Sequence, residues 1–235
     1  MQRYFAHVEN NIVKLSSEDE HHVLHVMRMR AGDKIEVVDS SSLYICEIKN
    51  TSPLDVQIIE QKEEDVEINT KVTLFFALAK GDKIDLVMQK ATELGVHRIV
   101  LFKSKRCVVN FDSKDISKKI ARYSKIVKEA AEQCHRLIVP SIEGVIELKD
   151  IDNYLSEVNL VAYEKEAGNT TDSFNLEKGA QTISVMIGSE GGFDEDEISF
   201  LKEKGFKTIS LGKRILRCET AAIYALSVLA YQLEK

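Results

Sequence analysis

Two glycine-bearing loops near the carboxyl end of the chain constrain its fold more than any other feature. Residues 187–193 read Ile-Gly-Ser-Glu-Gly-Gly-Phe, and residues 211–222 read Leu-Gly-Lys-Arg-Ile-Leu-Arg-Cys-Glu-Thr-Ala-Ala. Each loop follows a strand-like apolar run and leads into a helix-like run. At the ends of neighbouring strands, such loops form a pocket lined by backbone N–H and C=O groups. That pocket suits a nucleoside-like cofactor better than a chain of phosphates.

The common nucleotide-binding fingerprints are absent. The chain contains no G-x-x-x-x-G-K-[ST] loop and no G-x-G-x-x-G after the first strand of its α/β part,. Its glycines cluster instead in the last two strand-to-helix crossovers. Gly191 and Gly192 allow a positive φ and a close approach of the backbone to a ligand, although a plain glycine turn would show the same pattern.

The first seventy residues predict a small β-barrel with one inserted helix. A Ser16 cap followed by acidic residues predicts a helix that runs through Met27 and stops near Gly32,. The acidic segment 60–67 predicts a linker, so we place a domain boundary near Thr70 and divide the chain into 1–70 and 71–235. The predicted strands are 3–8, 12–15, 34–39, 43–50 and 56–61.

Strand–helix alternation after Lys71 predicts an α/β domain whose mostly parallel sheet is covered on both faces. The predicted strands are 72–78, 98–102, 137–142, 160–163, 182–187 and 208–211. The predicted helices are 83–94, 114–134, 148–158, 194–205 and 219–233. The last of these is apolar nearly all round, which favours burial against its own domain on one side and against something else on the other.

Charge is segregated along the chain. The net charge is -6, yet residues 103–136 carry ten Lys and Arg against four Asp and Glu. A local basic field suits phosphate contact, with a solvated helix face as the alternative. Four widely spaced cysteines without C-x-x-C argue against zinc or disulfides, and favour the cytoplasm,. Packing is favoured over metal binding for His21, His22 and His25. No signal-peptide pattern and no apolar run of about 20 residues indicates export or a membrane span.

Read together, the two loops resemble those of the SPOUT methyltransferases, the trefoil-knot class that uses S-adenosylmethionine. More narrowly, the chain is similar to the ribosomal RNA small-subunit methyltransferase E family, which methylates N3 of a uridine in 16S ribosomal RNA. The resemblance extends over the whole chain. Its other matching segments are 21–33, 79–85, 90–96, 104–107 and 129–136.

The resemblance implies a PUA-like N-terminal barrel, a knotted SPOUT domain, S-adenosylmethionine as cofactor, no metal, a homodimer, and 16S RNA or the 30S subunit as partner. The implied cofactor-binding residues are Leu160, Ala162, Tyr163, Met186, Ile187, Gly188, Glu190, Gly191, Gly192, Leu211, Gly212, Ile215 and Leu216. Arg217 is the candidate for stabilising negative charge on the uracil, and Glu219 or Glu190 for accepting a proton. The implied RNA-binding residues are Arg3, Arg28, Arg30, Lys80, Lys83, Lys105, Arg106 and Arg136.

Two positions depart from the family pattern. Ser189 stands where proline is usual, which predicts a less preorganised loop. Cys218 stands where threonine is usual, which predicts a poorer helix cap. Two other functions stay open: a knotted methyltransferase acting on a ribose 2′-hydroxyl or a tRNA base, and a non-catalytic RNA-binding factor for ribosome maturation.

Overall fold

The computed structural model describes residues 1–111, 113–165, 174 and 179–234. The chain divides into two compact units. The first comprises Met1–Glu67 and Ala131–Val139, and the second comprises Ile68–Ala130 and Pro140–Lys235. The first unit is therefore built from two separate stretches of sequence. The boundary proposed near Thr70 does not anticipate the second stretch.

The first unit is a six-stranded sheet that curls into a barrel. Its strands are β1 (Gln2–Phe5), β2 (His7–Glu9), β3 (Ile12–Lys14), β4 (Lys34–Asp39), β5 (Ser42–Thr51) and β6 (Leu54–Lys62). Their order in the sheet is β1-β4-β5-β6-β3-β2. Because only Ala6 separates β1 from β2, the strand at one end of this order continues into the strand at the other end. The predicted run 3–8 is thus two short strands that pair on opposite sides.

A helical segment lies between β3 and β4, as predicted. The Ser16 hydroxyl caps α1 (Ser17–His21) by accepting a hydrogen bond from the Asp19 N–H at 3.1 Å. A π-helical turn, His22–Val26, follows directly. It places Val23 in the barrel core, and the His22 ring is 2.9 Å from the Tyr4 hydroxyl. Packing of this segment against the sheet closes one side of the barrel core.

The second unit contains a six-stranded sheet in which every pairing is parallel. Its order is β12-β10-β11-β7-β8-β9. The strands are β7 (Lys71–Ala77), β8 (Arg98–Lys103), β9 (Ser141–Glu147), β10 (Val158–Ala162), β11 (Thr182–Ile187) and β12 (Phe206–Ile209). The α-helices are α2 (Lys83–Glu93), α3 (Ser113–Gln133), α4 (Glu195–Glu203) and α5 (Cys218–Leu233), and Leu148–Tyr154 forms a 3₁₀-helix. The prediction of a parallel sheet is confirmed.

Two predicted elements of the second half are displaced. The strand predicted at 137–142 is instead β9, Ser141–Glu147. The backbone N–H groups of Leu137 and Ile138 donate to the Glu67 carboxylate, so these residues belong to the first unit rather than to the sheet. The helix predicted at 148–158 ends at Tyr154, because Val158 already begins β10. Short apolar runs do not distinguish these alternatives by periodicity.

Candidate active site

The candidate site lies at the carboxyl edge of the parallel sheet in the second unit. Strand β10 pairs with both β11 and β12, so the loops that follow these three strands emerge side by side. They surround a cavity of about 560 Å³. Its lining consists of Lys83, residues 162–164, 187–193 and 210–218, and Ala221. Carboxyl ends of parallel strands are the usual place for ligand binding in α/β folds.

Glycines let the first loop fold tightly against its neighbours. Gly192 has a φ of +65°, and a Cβ built there would lie 2.9 Å from a carboxylate oxygen of Glu164. A Cβ on Gly191 would lie 2.9 Å from the Arg106 side chain. The Gly192 N–H donates to the Ser189 carbonyl at 2.9 Å, which closes the turn. Side chains at these two positions would therefore deform the wall of the cavity.

Glu190 is tied to the start of α2. Its carboxylate accepts hydrogen bonds from the Lys83 ammonium at 2.7 Å and from the Lys80 backbone N–H at 3.0 Å. Partial burial acts to raise the pKa of Glu190, but these hydrogen bonds outweigh burial and hold the pKa below its usual value,. Lys83 also lies 4.0 Å from the Glu219 carboxylate. Both candidate proton acceptors thus share one lysine.

The loop after β8 also holds the glycine loop in place. The Arg106 guanidinium donates to the Gly191 carbonyl at 3.1 Å. The buried Glu197 carboxylate fixes that loop by accepting from the Lys105 N–H at 2.8 Å. The same carboxylate completes a capping box with Asp194 at the start of α4,. The glycine loop is therefore held from two sides, despite Ser189 in place of proline.

The loop after β12 presents exposed positive charge at the cavity. Lys213, Arg214 and Arg217 all line it, and none of the three side chains forms a hydrogen bond or ion pair with any residue that the structure describes. Ile215 lies among them with 89% of its surface exposed. Three unpaired cations in five residues form a surface suited to a polyanion.

The start of α5 corrects one expectation. Arg217, not Cys218, is the N-cap residue, and Cys218 is the first helical residue. The Cys218 thiol instead donates to the Glu219 carboxylate at 3.3 Å. Burial, assisted by the hydrogen bond to Glu219, raises the pKa of the Cys218 thiol to about 12. The cysteine therefore does not weaken a cap, because the cap is one residue earlier.

All but two of the predicted cofactor-binding residues line the cavity. Leu160 and Met186 are buried within the strands β10 and β11 and do not line the cavity. The remaining predicted residues do line it: Ala162, Tyr163, Ile187, Gly188, Glu190, Gly191, Gly192, Leu211, Gly212, Ile215 and Leu216. Sequence reasoning missed Glu164, Lys213 and Arg214, although the latter two stand inside the quoted second loop.

The predicted RNA-binding residues fall into three groups. Arg3 and Arg136 are buried at 1% and 5% exposure, paired with Glu36, Glu64 and Glu67, so we leave both out of the proposed RNA surface. Lys83, Lys105 and Arg106 are paired with acidic residues of the second unit. Arg28, Arg30 and Lys80 are exposed, and their side chains have no partner among the described residues.

Comparison with known proteins decides the family. A family model described as "RNA methyltransferase domain" matches residues 66–230, and one described as "RNA methyltransferase PUA domain" matches residues 15–61. The ribosomal RNA small subunit methyltransferase E of Bacillus subtilis is 36% identical, covering 100% of this chain and 98% of the relative. This chain belongs to the ribosomal RNA small subunit methyltransferase E family.

Solved structures agree with this family assignment. A methyltransferase E from Neisseria gonorrhoeae, bound to S-adenosyl methionine, has a TM-score of 0.88 at 28% identity, covering 99% of this chain and 98% of that one. A Legionella pneumophila protein in complex with the same cofactor has a TM-score of 0.89 at 30% identity, covering 98% and 97%. The predicted fold class, a SPOUT α/β domain of the trefoil-knot class with an N-terminal PUA-like β domain, is confirmed.

Two features are absent from the described residues of this methyltransferase E family member. None of the helices in that range is long and apolar enough to cross a membrane. The same range contains no group of three or more His, Cys, Asp or Glu side chains placed to hold a metal ion. The histidines 21, 22 and 25 lie within α1 and the π-helical turn.

Proposed function

We propose that this chain is an S-adenosylmethionine-dependent methyltransferase that acts on N3 of a specific uridine in 16S ribosomal RNA of the small subunit. The observation that carries the proposal is the cavity formed by the loops after β10, β11 and β12. Those loops contain the residues by which the chain resembles its family. The family membership and the cofactor-bound Neisseria relative support the same conclusion.

The residues present fit S-adenosylmethionine. The cavity is of a size that small-molecule sites commonly have,. Gly188, Gly191 and Gly192 keep its wall free of side chains, and a Cβ at any of them would meet a neighbour at 3.0 Å or less. Glu164 and Glu190 add carboxylates to the lining, which complements the positive sulfonium of the donor,. Residues 211–216 line the cavity, and we assign recognition of the adenine edge to their backbone groups.

Bound S-adenosylmethionine supplies an electrophilic methyl group, and methylation of uridine N3 replaces the proton that N3 carries. The chain must therefore favour loss of that proton. Arg217, unpaired and at the cavity, is assigned to stabilise negative charge that develops on the uracil oxygens,. Glu190 is a weak base because its pKa is lowered. We therefore assign the proton-accepting or water-orienting role to Glu219, which is outside the cavity lining but 4.0 Å from Lys83 of that lining,.

Each unit carries exposed cations that we propose as RNA contacts. In the second unit, the side chains of Lys80, Lys213 and Arg214 have no partner among the described residues, and Lys105 and Arg106 are partly exposed beside the glycine loop. In the first unit, Arg28 and Arg30 are exposed. Such groups bind phosphate through Coulomb attraction and release of counterions. Sequence selection for one uridine would come from contacts beyond these.

A homodimer and a cytoplasmic location complete the proposal. Helix α5 buries Ala222, Ala225 and Leu229 but leaves Tyr224 exposed, and Ile215 is exposed nearby in sequence. Exposed large apolar side chains of this kind favour a protein contact. Sedimentation of the active enzyme tests this point, because a fully active monomer would contradict it.

Methylation of ribosomal particles tests the proposed reaction. The assay incubates the enzyme with labelled S-adenosylmethionine and either 30S particles or naked 16S RNA from a strain that lacks the enzyme. Nucleoside mass spectrometry is expected to find 3-methyluridine, and particles from the wild-type strain serve as the already modified control. A 2′-O-methyl product or a tRNA substrate would support the other methyltransferase function. Absence of cofactor binding in calorimetry would support a non-catalytic RNA-binding factor.

A further inference from the structure

One lysine connects both carboxylates of the site. Lys83, the first residue of α2, lines the cavity, and its ammonium lies 2.7 Å from Glu190 and 4.0 Å from Glu219. The three residues come from three different segments of the chain: the first turn of α2, the glycine loop after β11, and the first turn of α5. A single side chain therefore links three walls of one cavity.

The environment of Lys83 favours a paired ammonium over a free one. The Lys83 and Glu190 side chains are 29% and 31% exposed, so their hydrogen bond is partly shielded from water. The hydrogen bond to Glu190 raises the pKa of Lys83, and nearby Cys218 and Glu219 act in the same direction. A charge-assisted hydrogen bond of this kind is stronger than one between neutral groups. Phosphate contact would require this ammonium to leave two carboxylates.

The glycine loop depends on such ties. It contains three glycines and no proline between positions 188 and 192, so its backbone has many accessible conformations before folding,. Within this segment, the Glu190 side chain accepts two hydrogen bonds from residues outside it. The Lys80 N–H and the Lys83 ammonium both donate to the same oxygen of that carboxylate.

We propose that Lys83 is a positioning residue for the methyl-donor cavity: it holds Glu190, and through it the glycine loop, in the conformation that binds S-adenosylmethionine. It also neutralises part of the charge that Glu190 and Glu219 place beside one another. This inference rests on the proposed function, and it replaces the expectation that Lys83 contacts RNA.

Calorimetry with S-adenosylmethionine and no RNA tests the role of Lys83. Lys83→Met is expected to weaken cofactor binding about tenfold, since it removes a charge-assisted hydrogen bond from a preorganised site. Lys83→Arg is expected to stay within about threefold of wild type, because a guanidinium can donate to both carboxylates. Lys90→Met is the matched control: it lies on the same helix and pairs with Glu93 outside the cavity. Its affinity is expected to equal that of wild type.

A double-mutant cycle separates positioning from general loss of structure. Glu190→Gln weakens the same hydrogen bond by changing its acceptor. Adding Lys83→Met to Glu190→Gln is therefore expected to lower cofactor affinity little further. In steady-state assays, Lys83→Met is expected to raise KM for the cofactor and to leave KM for RNA unchanged. Thermal melts without cofactor identify any variant that is not folded. If Lys83→Met does not fold, the cofactor affinity of Glu190→Gln alone tests the Lys83–Glu190 hydrogen bond.

The outcomes are distinct. Unchanged cofactor affinity in Lys83→Met, with a higher KM for RNA and a shallower salt dependence, would overturn the inference and make Lys83 an RNA contact. Fully additive effects of Lys83→Met and Glu190→Gln would also overturn it. If the wild-type protein bound no S-adenosylmethionine at all, the proposed function would fail first, and this inference with it.

Discussion

Arg3 in the first unit and Arg217 in the second have opposite environments. In the first unit, the Arg3 guanidinium is buried and donates to Glu36 at 2.9 Å, to Glu64 at 2.8 Å and to the His135 carbonyl at 2.7 Å. In the second unit, Arg214 and Arg217 are exposed at the cavity without a partner among the described residues. Arg136, which is buried and paired with Glu67, lies in a segment that matches the same family as the exposed loop. Membership in a matching segment therefore does not tell whether an arginine supports the fold or binds a ligand.

The difference follows from the surrounding charge. Residues 1–70 contain 14 acidic against 7 basic side chains, and Arg3 pairs with two of these carboxylates, Glu36 and Glu64. The loop after β12 contains Lys213, Arg214 and Arg217 but no acidic residue between positions 211 and 218. Its cations remain available for an anion that the chain itself does not supply. We therefore expect Arg3 to stabilise the fold, and Lys213, Arg214 and Arg217 to contact substrate.

Replacement of Arg3 gives the largest expected effect. Arg3→Met leaves Glu36 and Glu64 without their buried partner, which costs about 3–5 kcal/mol of unfolding free energy. Urea unfolding followed by circular dichroism measures this loss. Arg30→Met, at an exposed arginine of the same unit, is the control and is expected to change stability by less than about 0.5 kcal/mol,. Equal stability of Arg3→Met and Arg30→Met would contradict the stabilising role of Arg3.

Replacement of Arg217 is expected to affect catalysis and leave the fold intact. Arg217→Ala should lower the methylation rate about 100-fold at saturating RNA and cofactor, the size of effect seen when a charge-stabilising donor is removed. The melting temperature should stay near that of wild type, because the side chain is exposed. A variant with wild-type rate would remove Arg217 from the mechanism.

Smaller effects are expected from Lys213→Ala and Arg214→Ala. Each removes one unpaired cation, so each should weaken RNA binding and lower the slope of log K against log salt by about one. Titration of fluorescent RNA at several salt concentrations measures that slope. Lys202→Ala, on α4 and outside the cavity lining, provides a control of the same charge change. An unchanged slope in both loop variants would place the RNA elsewhere.

The smallest expected effect is that of pH on the hydrogen bonds that Glu190 accepts from Lys83 and Lys80. Burial opposes ionisation of Glu190, but its hydrogen bonds lower the pKa below the usual value. These hydrogen bonds are therefore fully formed above the ordinary glutamate pKa of about 4.5. They are lost only as the pH falls through the lowered pKa of Glu190,. Cofactor affinity measured by calorimetry between pH 5 and 7 should show no loss from this group. A decline already at pH 6 would contradict it.

Sequence reasoning located the cavity because its determinants are local. Glycines at 188, 191 and 192 and the apolar strands before them are adjacent in the chain, and parallel pairing places their loops at one edge. Leu160 and Met186 were misplaced for a related reason. They lie within strands, where only alternate side chains face each side, and both are buried in the sheet rather than at its end,.

Long-range pairings were the part that sequence could not supply. Arg3 and Glu64 are 61 positions apart, and Lys83 and Glu190 are 107 apart. No periodicity or spacing relates such residues, so a buried structural arginine and a surface arginine look alike in one sequence. The displaced strand β9 has the same origin, because Leu137 and Ile138 donate to Glu67 far earlier in the chain.

The two-part construction of the first unit has a consequence for how the protein is made. Residues 131–139 supply the Leu137 side chain that packs on Val38 and Leu43, and the Arg136 guanidinium that pairs with Glu67. The ribosome translates Met1–Glu67 well before it reaches residues 131–139. The first unit therefore gains its second apolar cluster, formed by Val38, Leu43 and Leu137, only after α3 has been translated. A gene fragment that ends at Glu67 would lack this cluster and the arginine that pairs with Glu67,.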